Sequence, residues 1–178
     1  MRLKVLRGIS LALIATLCLS MANVYAVDNA AVDDLGLLAS LDIIDNTYLL
    51  KPNDKVTYNE ASQSILAMIG LTQADNAIDF LQSLGILYKV VDGNDEISYE
   101  TAYSLVVIAL GYGIRLPERP SPEQIYYLAA DLSLTKRISG KIGEAITRVD
   151  FAKLILNGLE TDLMEQKSES GKYNVKFG

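Results

Sequence analysis

The sequence predicts an all-α fold built from three helix–loop–helix repeats, because one six-residue phrase occurs three times with helical patterning around it. The copies are Val-Thr-Tyr-Asn-Glu-Ala at 56–61, Ile-Ser-Tyr-Glu-Thr-Ala at 97–102 and Ile-Thr-Arg-Val-Asp-Phe at 146–151. They begin 41 and 49 residues apart. A period of this size indicates one supersecondary unit repeated along the chain. Since one unit cannot bury its apolar face alone, the three are expected to form one compact domain over residues 30–165.

The second helix of each repeat is predicted to begin at Thr57, Ser98 and Thr147, which are typical N-cap residues. Glu60 completes a capping box with Thr57, and Asp150 nearly does so with Thr147. Apolar residues follow at offsets i, i+4, i+7 and i+8, which mark one face of a helix. They are Ala61, Ile65, Met68 and Ile69, then Ala102, Val106, Ala109 and Leu110, then Phe151, Ile155, Gly158 and Leu159.

The first helix of each repeat is predicted from a similar apolar pattern. Its members are Leu35, Leu38 and Leu41, then Ile78, Leu81 and Leu84, then Tyr126, Ala129 and Leu132. In the third repeat Ser121, Pro122 and Gln124 form a strong helix-start signal. Gly70 and Gly111 stand where the second helices of repeats one and two are expected to end.

The N-terminus predicts a secretory signal peptide over residues 1–26. Arg2 and Lys4 give it a basic start, an apolar run covers 9–19, and Val-Tyr-Ala at 24–26 resembles a cleavage site. The less favoured interpretation is a membrane anchor, for which the apolar run is short. The chain is therefore expected to be secreted, with no membrane insertion after cleavage.

The full domain organisation is predicted as a signal peptide, three repeats and a tail. The boundaries are 1–26 for the signal, 30–71, 72–115 and 121–165 for the repeats, and 166–178 for a polar linker or tail. Residues 173–177 alternate in polarity like the start of a strand. The tail is expected to be either a link to a further C-terminal effector domain or a frayed terminus.

The composition argues against several classes of function for this chain. Without the signal, which holds three basic residues and no acidic one, 13 basic side chains face 22 acidic ones, a net charge of −9. Such a chain is a poor partner for nucleic acid. There is no His, and the single Cys18 lies in the signal, so the common catalytic triads and zinc sites are not expected. We expect a protein that is not an enzyme and uses no metal or cofactor.

Several of these phrases resemble the repeat of the S-layer homology (SLH) family. Leu-Asp-Ile-Ile at 41–44 and Leu-Gly-Ile-Leu at 84–87 resemble its Leu-Gly-Ile-Ile segment. Residues 50–57 are similar to its Pro-containing loop, and Ile-Thr-Arg-Val-Asp at 146–150 is similar to its Ile-Thr-Arg-Ala-Glu phrase. The resemblance covers almost all of the chain after the signal. It implies a pseudo-three-fold helical prism at the cell wall or cell surface, as in an S-layer.

The resemblance also implies non-catalytic anchoring to secondary cell-wall polysaccharide, often pyruvylated, in grooves between repeats. Carried over residue by residue, the polysaccharide-binding candidates are Thr147 and Arg148, with Tyr58 and Tyr99 at the positions equivalent to Arg148. The alternative for Arg148 is an ion pair with Asp150 or another carboxylate. For the two tyrosines it is half-exposed packing on the preceding loop. The alternative function is a degenerate SLH-fold scaffold that assembles with another surface protein.

Overall fold

The computed structural model describes residues 29–71, 76–166 and 173–175. The chain divides into two compact units, Met1–Val32 and Asp33–Gly178. The predicted signal peptide lies outside the described residues, as do 72–75 and most of the predicted tail. In the part of the chain that is described, no helix is long and apolar enough to cross a membrane.

The described chain is mostly helical, which confirms the all-α prediction at that level. The α-helices are α1 (Asn29–Ser40), α2 (Thr47–Leu50), α3 (Tyr58–Met68), α4 (Ala77–Ser83), α5 (Tyr99–Ala109), α6 (Pro122–Asp131) and α7 (Arg148–Leu159). A 3₁₀ helix covers Tyr112–Arg115. Two short antiparallel strands, β1 (Met164–Gln166) and β2 (Tyr173–Val175), pair near the C-terminus.

The predicted helix starts are confirmed by their hydrogen bonds. Thr57 and Ser121 each form a complete capping box, with Glu60 and Gln124 as the third helical residues. The hydroxyls of Ser98 and Thr147 likewise accept from backbone N–H groups three residues on. Each cap satisfies donors that the first helical turn would otherwise leave free.

The first helix of every repeat ends in the same left-handed turn. The residues in left-handed conformation are Asp42 (φ 55°), Gly85 (φ 68°) and Ser133 (φ 62°). In the first repeat the N–H of Ile43 donates to Leu38 O at 3.0 Å and that of Asp42 to Ala39 O at 3.1 Å, which is a Schellman motif. The second and third repeats form the equivalent pairs of bonds.

This turn explains why some residues predicted on the apolar face are not buried. Leu41 and Leu84 directly precede the left-handed residue and are 56 % and 46 % exposed. The apolar residue after it turns inward instead, so that Ile43 and Ile86 are buried. The packing of that residue against the last helical turn commonly accompanies a Schellman motif.

The three cap segments meet in a closed ring of backbone hydrogen bonds. Val56 N–H donates to Ile146 O at 3.1 Å, Ile146 N–H to Ile97 O at 3.0 Å, and Ile97 N–H to Val56 O at 2.9 Å. All three side chains are 0 % exposed. Each segment thus donates once and accepts once, and the ring holds the starts of α3, α5 and α7 together at the centre of the core.

Two short elements were not predicted. Residues expected to form only a loop contain α2, which buries Tyr48 at 1 % exposure. The 3₁₀ helix Tyr112–Arg115 follows Gly111, whose φ of 88° confirms the predicted helix end there. A Cβ at Gly111 would lie 2.5 Å from Met164 O, because β1 begins with a bond from Met164 N–H to Leu110 O.

The ring makes its central side chains decisive for stability. Ile97→Ala should lower the free energy of unfolding by about 2–5 kcal/mol, because it leaves a cavity where the repeats meet. Ile114→Ala, at a residue 52 % exposed, is the matched control and should change it by no more than about 0.5 kcal/mol. Urea unfolding followed by circular dichroism measures both, and equal losses would contradict the central place of Ile97.

Candidate functional site

The predicted binding residues all lie at the starts of the second helices. Tyr58, Tyr99 and Arg148 are the first residues of α3, α5 and α7, and Thr147 is the N-cap of α7. The backbone N–H of each of the three donates to a loop of another repeat, at Asp95 O, Glu144 O and Asp54 O over 2.9–3.0 Å. The four residues are therefore brought into three equivalent positions around the ring, each covered by a neighbouring repeat.

The Arg148 guanidinium is held by the first repeat. Its Nε and Nη2 both donate to Glu60 Oε1, with the Nε bond at 3.1 Å. Its Nη1 lies 3.6 Å from Asp54 Oδ2, and its central carbon stands 5.2 Å from the centre of the Tyr48 ring. The side chain is 12 % exposed. Of the alternatives for Arg148, the structure places it in ion pairs with Glu60 and Asp54 rather than with Asp150.

Glu60 serves two elements at once. Its Oε2 accepts from the N–H of Thr57 at 2.9 Å and so completes the cap of α3. Its Oε1 accepts from Arg148. Because the Glu60 side chain is only 20 % exposed, the pair is partly desolvated and screened less by salt than a surface pair. The carboxylate thereby ties the first turn of α3 to the first turn of α7.

Tyr99 makes the corresponding contact in the second repeat. It is 3 % exposed, and its hydroxyl donates to Asp150 Oδ2 at 2.7 Å. Asp150 is itself 6 % exposed and its other oxygen accepts from Lys153 at 3.1 Å. The backbone of Gly140 approaches the Tyr99 ring so closely that a Cβ there would overlap it. Tyr99 is thus a buried packing residue covered by the loop of the third repeat.

Tyr58 and Thr147 complete the predicted set. Tyr58 is 5 % exposed, and the Lys89 ammonium lies 5.4 Å from the centre of its ring. The Thr147 hydroxyl accepts from Asp150 N–H at 3.3 Å. The tyrosines are therefore more deeply buried than the half-exposed packing considered as their alternative. Arg148 and Thr147 keep partial access to solvent.

Sequence reasoning did not identify Tyr48 or the second role of Glu60. Tyr48 lies in the unpredicted helix α2 and is 1 % exposed. It lines a pocket of about 260 Å³ together with Glu60 and polar residues of the first repeat. The Arg-to-Tyr exchange between repeats could have suggested a shared contact, because both side chains can donate to a carboxylate.

Burial raises the pKa of several tyrosines. Desolvation, followed by the Glu60 charge, raises the pKa of Tyr48. Desolvation and then the hydrogen bond to Asp150 raise the pKa of Tyr99. Desolvation, with smaller contributions from Tyr126 and Asp150, raises the pKa of Tyr103 to about 12. These hydroxyls stay protonated at neutral pH and act only as hydrogen-bond donors or acceptors.

The described residues hold no group of three or more carboxylate, thiol or imidazole side chains placed to bind a metal ion. A second pocket, of about 310 Å³, lies between the ends of α6 and α7 and is lined by Asn157, Thr161 and Asp162. No protein-family model matches the chain. Curated proteins show no significant match either.

The Arg148–Glu60 pair should contribute measurably to stability. A double-mutant cycle with Arg148→Met and Glu60→Gln should give a coupling energy of about 2 kcal/mol, because the pair is partly buried and bonded through two nitrogens. Glu60→Gln keeps a residue that can complete the capping box. Thermal or urea unfolding of the four variants measures the coupling.

The exposed pair Arg115–Asp131, at 2.7 Å with 43 % and 61 % exposure, is the control for this cycle. Its coupling energy should be about 0.5 kcal/mol, because solvent screens both charges. If the two cycles give the same coupling, the Arg148–Glu60 contact does not join the repeats as described.

Stability should fall as pH rises above about 10, the ordinary pKa of tyrosine. In the folded protein Tyr48, Tyr99 and Tyr103 have raised pKa values, so the unfolded chain loses these protons first. Their contribution to the free energy of unfolding is complete below pH 10 and is lost as the pH rises toward the pKa values of the folded protein. Urea midpoints at several pH values should show this, and Tyr103→Phe should make the decline shallower. Tyr88→Phe, at 79 % exposure, is the control.

Proposed function

We propose that the chain is a non-catalytic module that attaches to the cell envelope by binding secondary cell-wall polysaccharide. In this proposal the three repeats pack as a pseudo-three-fold prism of the SLH type. The observation that carries it is the closed ring of bonds among Val56, Ile97 and Ile146. A ring in which each repeat donates to one neighbour and accepts from the other is what three equivalent repeats around an axis would form.

The polymer is proposed to contact the protein at the border of the third and first repeats. Arg148 and Thr147 keep partial access to solvent there, whereas the side chains of Tyr58 and Tyr99 are buried. The Arg148 Nη1 has the loosest contacts of the guanidinium, at 3.4 Å from Lys51 O and 3.6 Å from Asp54. That nitrogen is the one a polymer oxygen could reach, a pyruvyl carboxylate included.

Sedimentation with purified cell-wall sacculi tests this proposal, before and after the secondary polymer is stripped. We expect binding to intact sacculi and its loss on stripping. Arg148→Lys keeps the charge but removes the planar fork, and should weaken binding several-fold. Arg115→Lys is the matched control at an exposed arginine and should bind normally. A chain that melts cooperatively but does not bind intact sacculi would contradict the proposal.

The second candidate is an SLH-fold scaffold that assembles with another surface protein. It is favoured by the exposed apolar side chains of Leu50, Tyr88 and Val90, at 81 %, 79 % and 94 % exposure. Tyr88 and Val90 lie in one loop, and exposed apolar groups that lie together are common at protein interfaces. In the same experiment, binding that survives removal of the polymer would favour this candidate over polysaccharide attachment.

A further inference from the structure

Four tyrosines form a continuous row of rings from the core to the surface. Tyr99 and Tyr103 lie one helical turn apart on α5, and Tyr126 and Tyr127 lie on α6, which packs against α5. In that order the ring centres are 6.4, 6.1 and 6.1 Å apart. Aromatic rings in direct contact typically have centres about 4.5–7 Å apart, so each ring of the row touches the next.

The row has a buried end and an open end. Tyr99 and Tyr103 are 3 % and 2 % exposed, whereas Tyr126 is 37 % and Tyr127 is 69 % exposed. The backbone of Gly140 also covers the Tyr99 ring. A reagent in solution therefore reacts with Tyr127 first and reaches Tyr99 only through the row.

Tyrosine is the side chain of this protein that loses a single electron most readily. The sequence has no Trp, and its one cysteine, Cys18, lies in the predicted signal. A phenol that loses an electron becomes a strong acid, so its proton must pass to an acceptor within hydrogen-bond distance. A tyrosine with such an acceptor in place is therefore easier to oxidise than one without.

Tyr99 has a carboxylate as this acceptor. Its hydroxyl donates to Asp150 Oδ2 at 2.7 Å, within the range required for proton transfer. Transfer of the proton leaves a neutral radical and a neutral acid, so oxidation adds no charge to the core, where burying one is costly. The other oxygen of Asp150 accepts from Lys153 at 3.1 Å and can still do so in the protonated acid. Tyr99 is thus the member of the row from which an electron is most easily removed.

We propose that the row passes an electron from Tyr99 to Tyr127 when a soluble one-electron oxidant reacts at the surface, so that the radical moves into the core. The oxidant takes one electron from Tyr127, whose proton passes to water. An electron then moves along the row from Tyr99 to Tyr127, Tyr127 recovers a proton from water, and the Tyr99 proton passes to Asp150. In total the oxidant gains one electron, and one neutral radical remains at Tyr99.

This transfer protects the surface from covalent coupling. Two exposed tyrosine radicals on separate molecules join through a carbon–carbon bond and form dityrosine. A radical at Tyr99 cannot meet one on another molecule, because the side chain is buried. The protective role is separate from attachment to the envelope and does not depend on it.

Photo-oxidation of the purified full chain with tris(bipyridine)ruthenium and persulfate tests the transfer. Electron paramagnetic resonance of samples frozen during illumination detects the tyrosyl radical, and peptide mass spectrometry measures the dityrosine dimers joined through Tyr127. In the unchanged protein we expect a radical signal that Tyr99→Phe removes, and few dimers through Tyr127. A signal that Tyr99→Phe leaves unchanged would overturn the proposal.

Tyr103→Phe interrupts the row without removing a ring from the core, because phenylalanine packs similarly and is far harder to oxidise. We expect several-fold more dimers through Tyr127 and several-fold less of the Tyr99 radical. Tyr48→Phe, at a buried tyrosine outside the row, is the matched control and should change neither. Urea unfolding shows that each variant is folded. Equal dimer yields in Tyr103→Phe and the unchanged protein would overturn the transfer along the row.

Asp150→Asn tests the proton acceptor, because the amide keeps the shape of the carboxylate but does not take up a proton. The Tyr99 radical should fall several-fold, and dimers through Tyr127 should rise as they do in Tyr103→Phe. A Tyr99 radical that persists at full intensity in Asp150→Asn would overturn the assignment of Asp150 as the acceptor.

Discussion

The fold depends on one constraint, which is that three short extended segments must satisfy one another's backbone groups in the centre of the core. Val56, Ile97 and Ile146 are fully buried, so their N–H and C=O groups have no access to water. The ring of three bonds satisfies them. Each segment runs directly into an N-cap, so the ring also fixes where α3, α5 and α7 begin. Loss of one segment would leave unpaired groups in the other two.

The same ring sets which side chains meet between repeats. In two of the repeats, the first residue of the second helix bonds to the third residue of the second helix in a neighbouring repeat. Arg148 of α7 bonds to Glu60 of α3, and Tyr99 of α5 bonds to Asp150 of α7. The two contacts differ in chemistry, since one is an ion pair and the other a neutral donor on a carboxylate. Both attach a first-turn side chain to an acid that also lies near the positive end of a helix dipole. A tyrosine at the position of the arginine can therefore keep a contact between neighbouring repeats.

The sequence predicted local features far better than the contacts between repeats. Thr57, Ser98 and Thr147 signal caps through side chains that act within three residues. The helix ends at Gly70 and Gly111 were predicted and both residues have positive φ, whereas the left-handed ends of the first helices were not predicted, because Asp42 and Ser133 adopt this φ with side chains that rarely do so. The burial of Tyr48 depends on tertiary packing of a four-residue helix, which has no periodic pattern to detect. Arg148 could be placed on its helix, but its partner 88 positions away could not.

Protein carboxylates compete with any anionic ligand for the Arg148 guanidinium. All three of its guanidinium nitrogens contact protein oxygens, with Glu60 taking two of them. An anionic polymer group could gain the guanidinium only by displacing the loosely held Asp54, and it would then lie close to two carboxylates. Coulomb repulsion from both would offset much of the new ion pair. A polymer unit that brings only hydroxyl groups needs no such displacement, because hydroxyls can donate to the surrounding carboxylates while Arg148 continues to join the repeats.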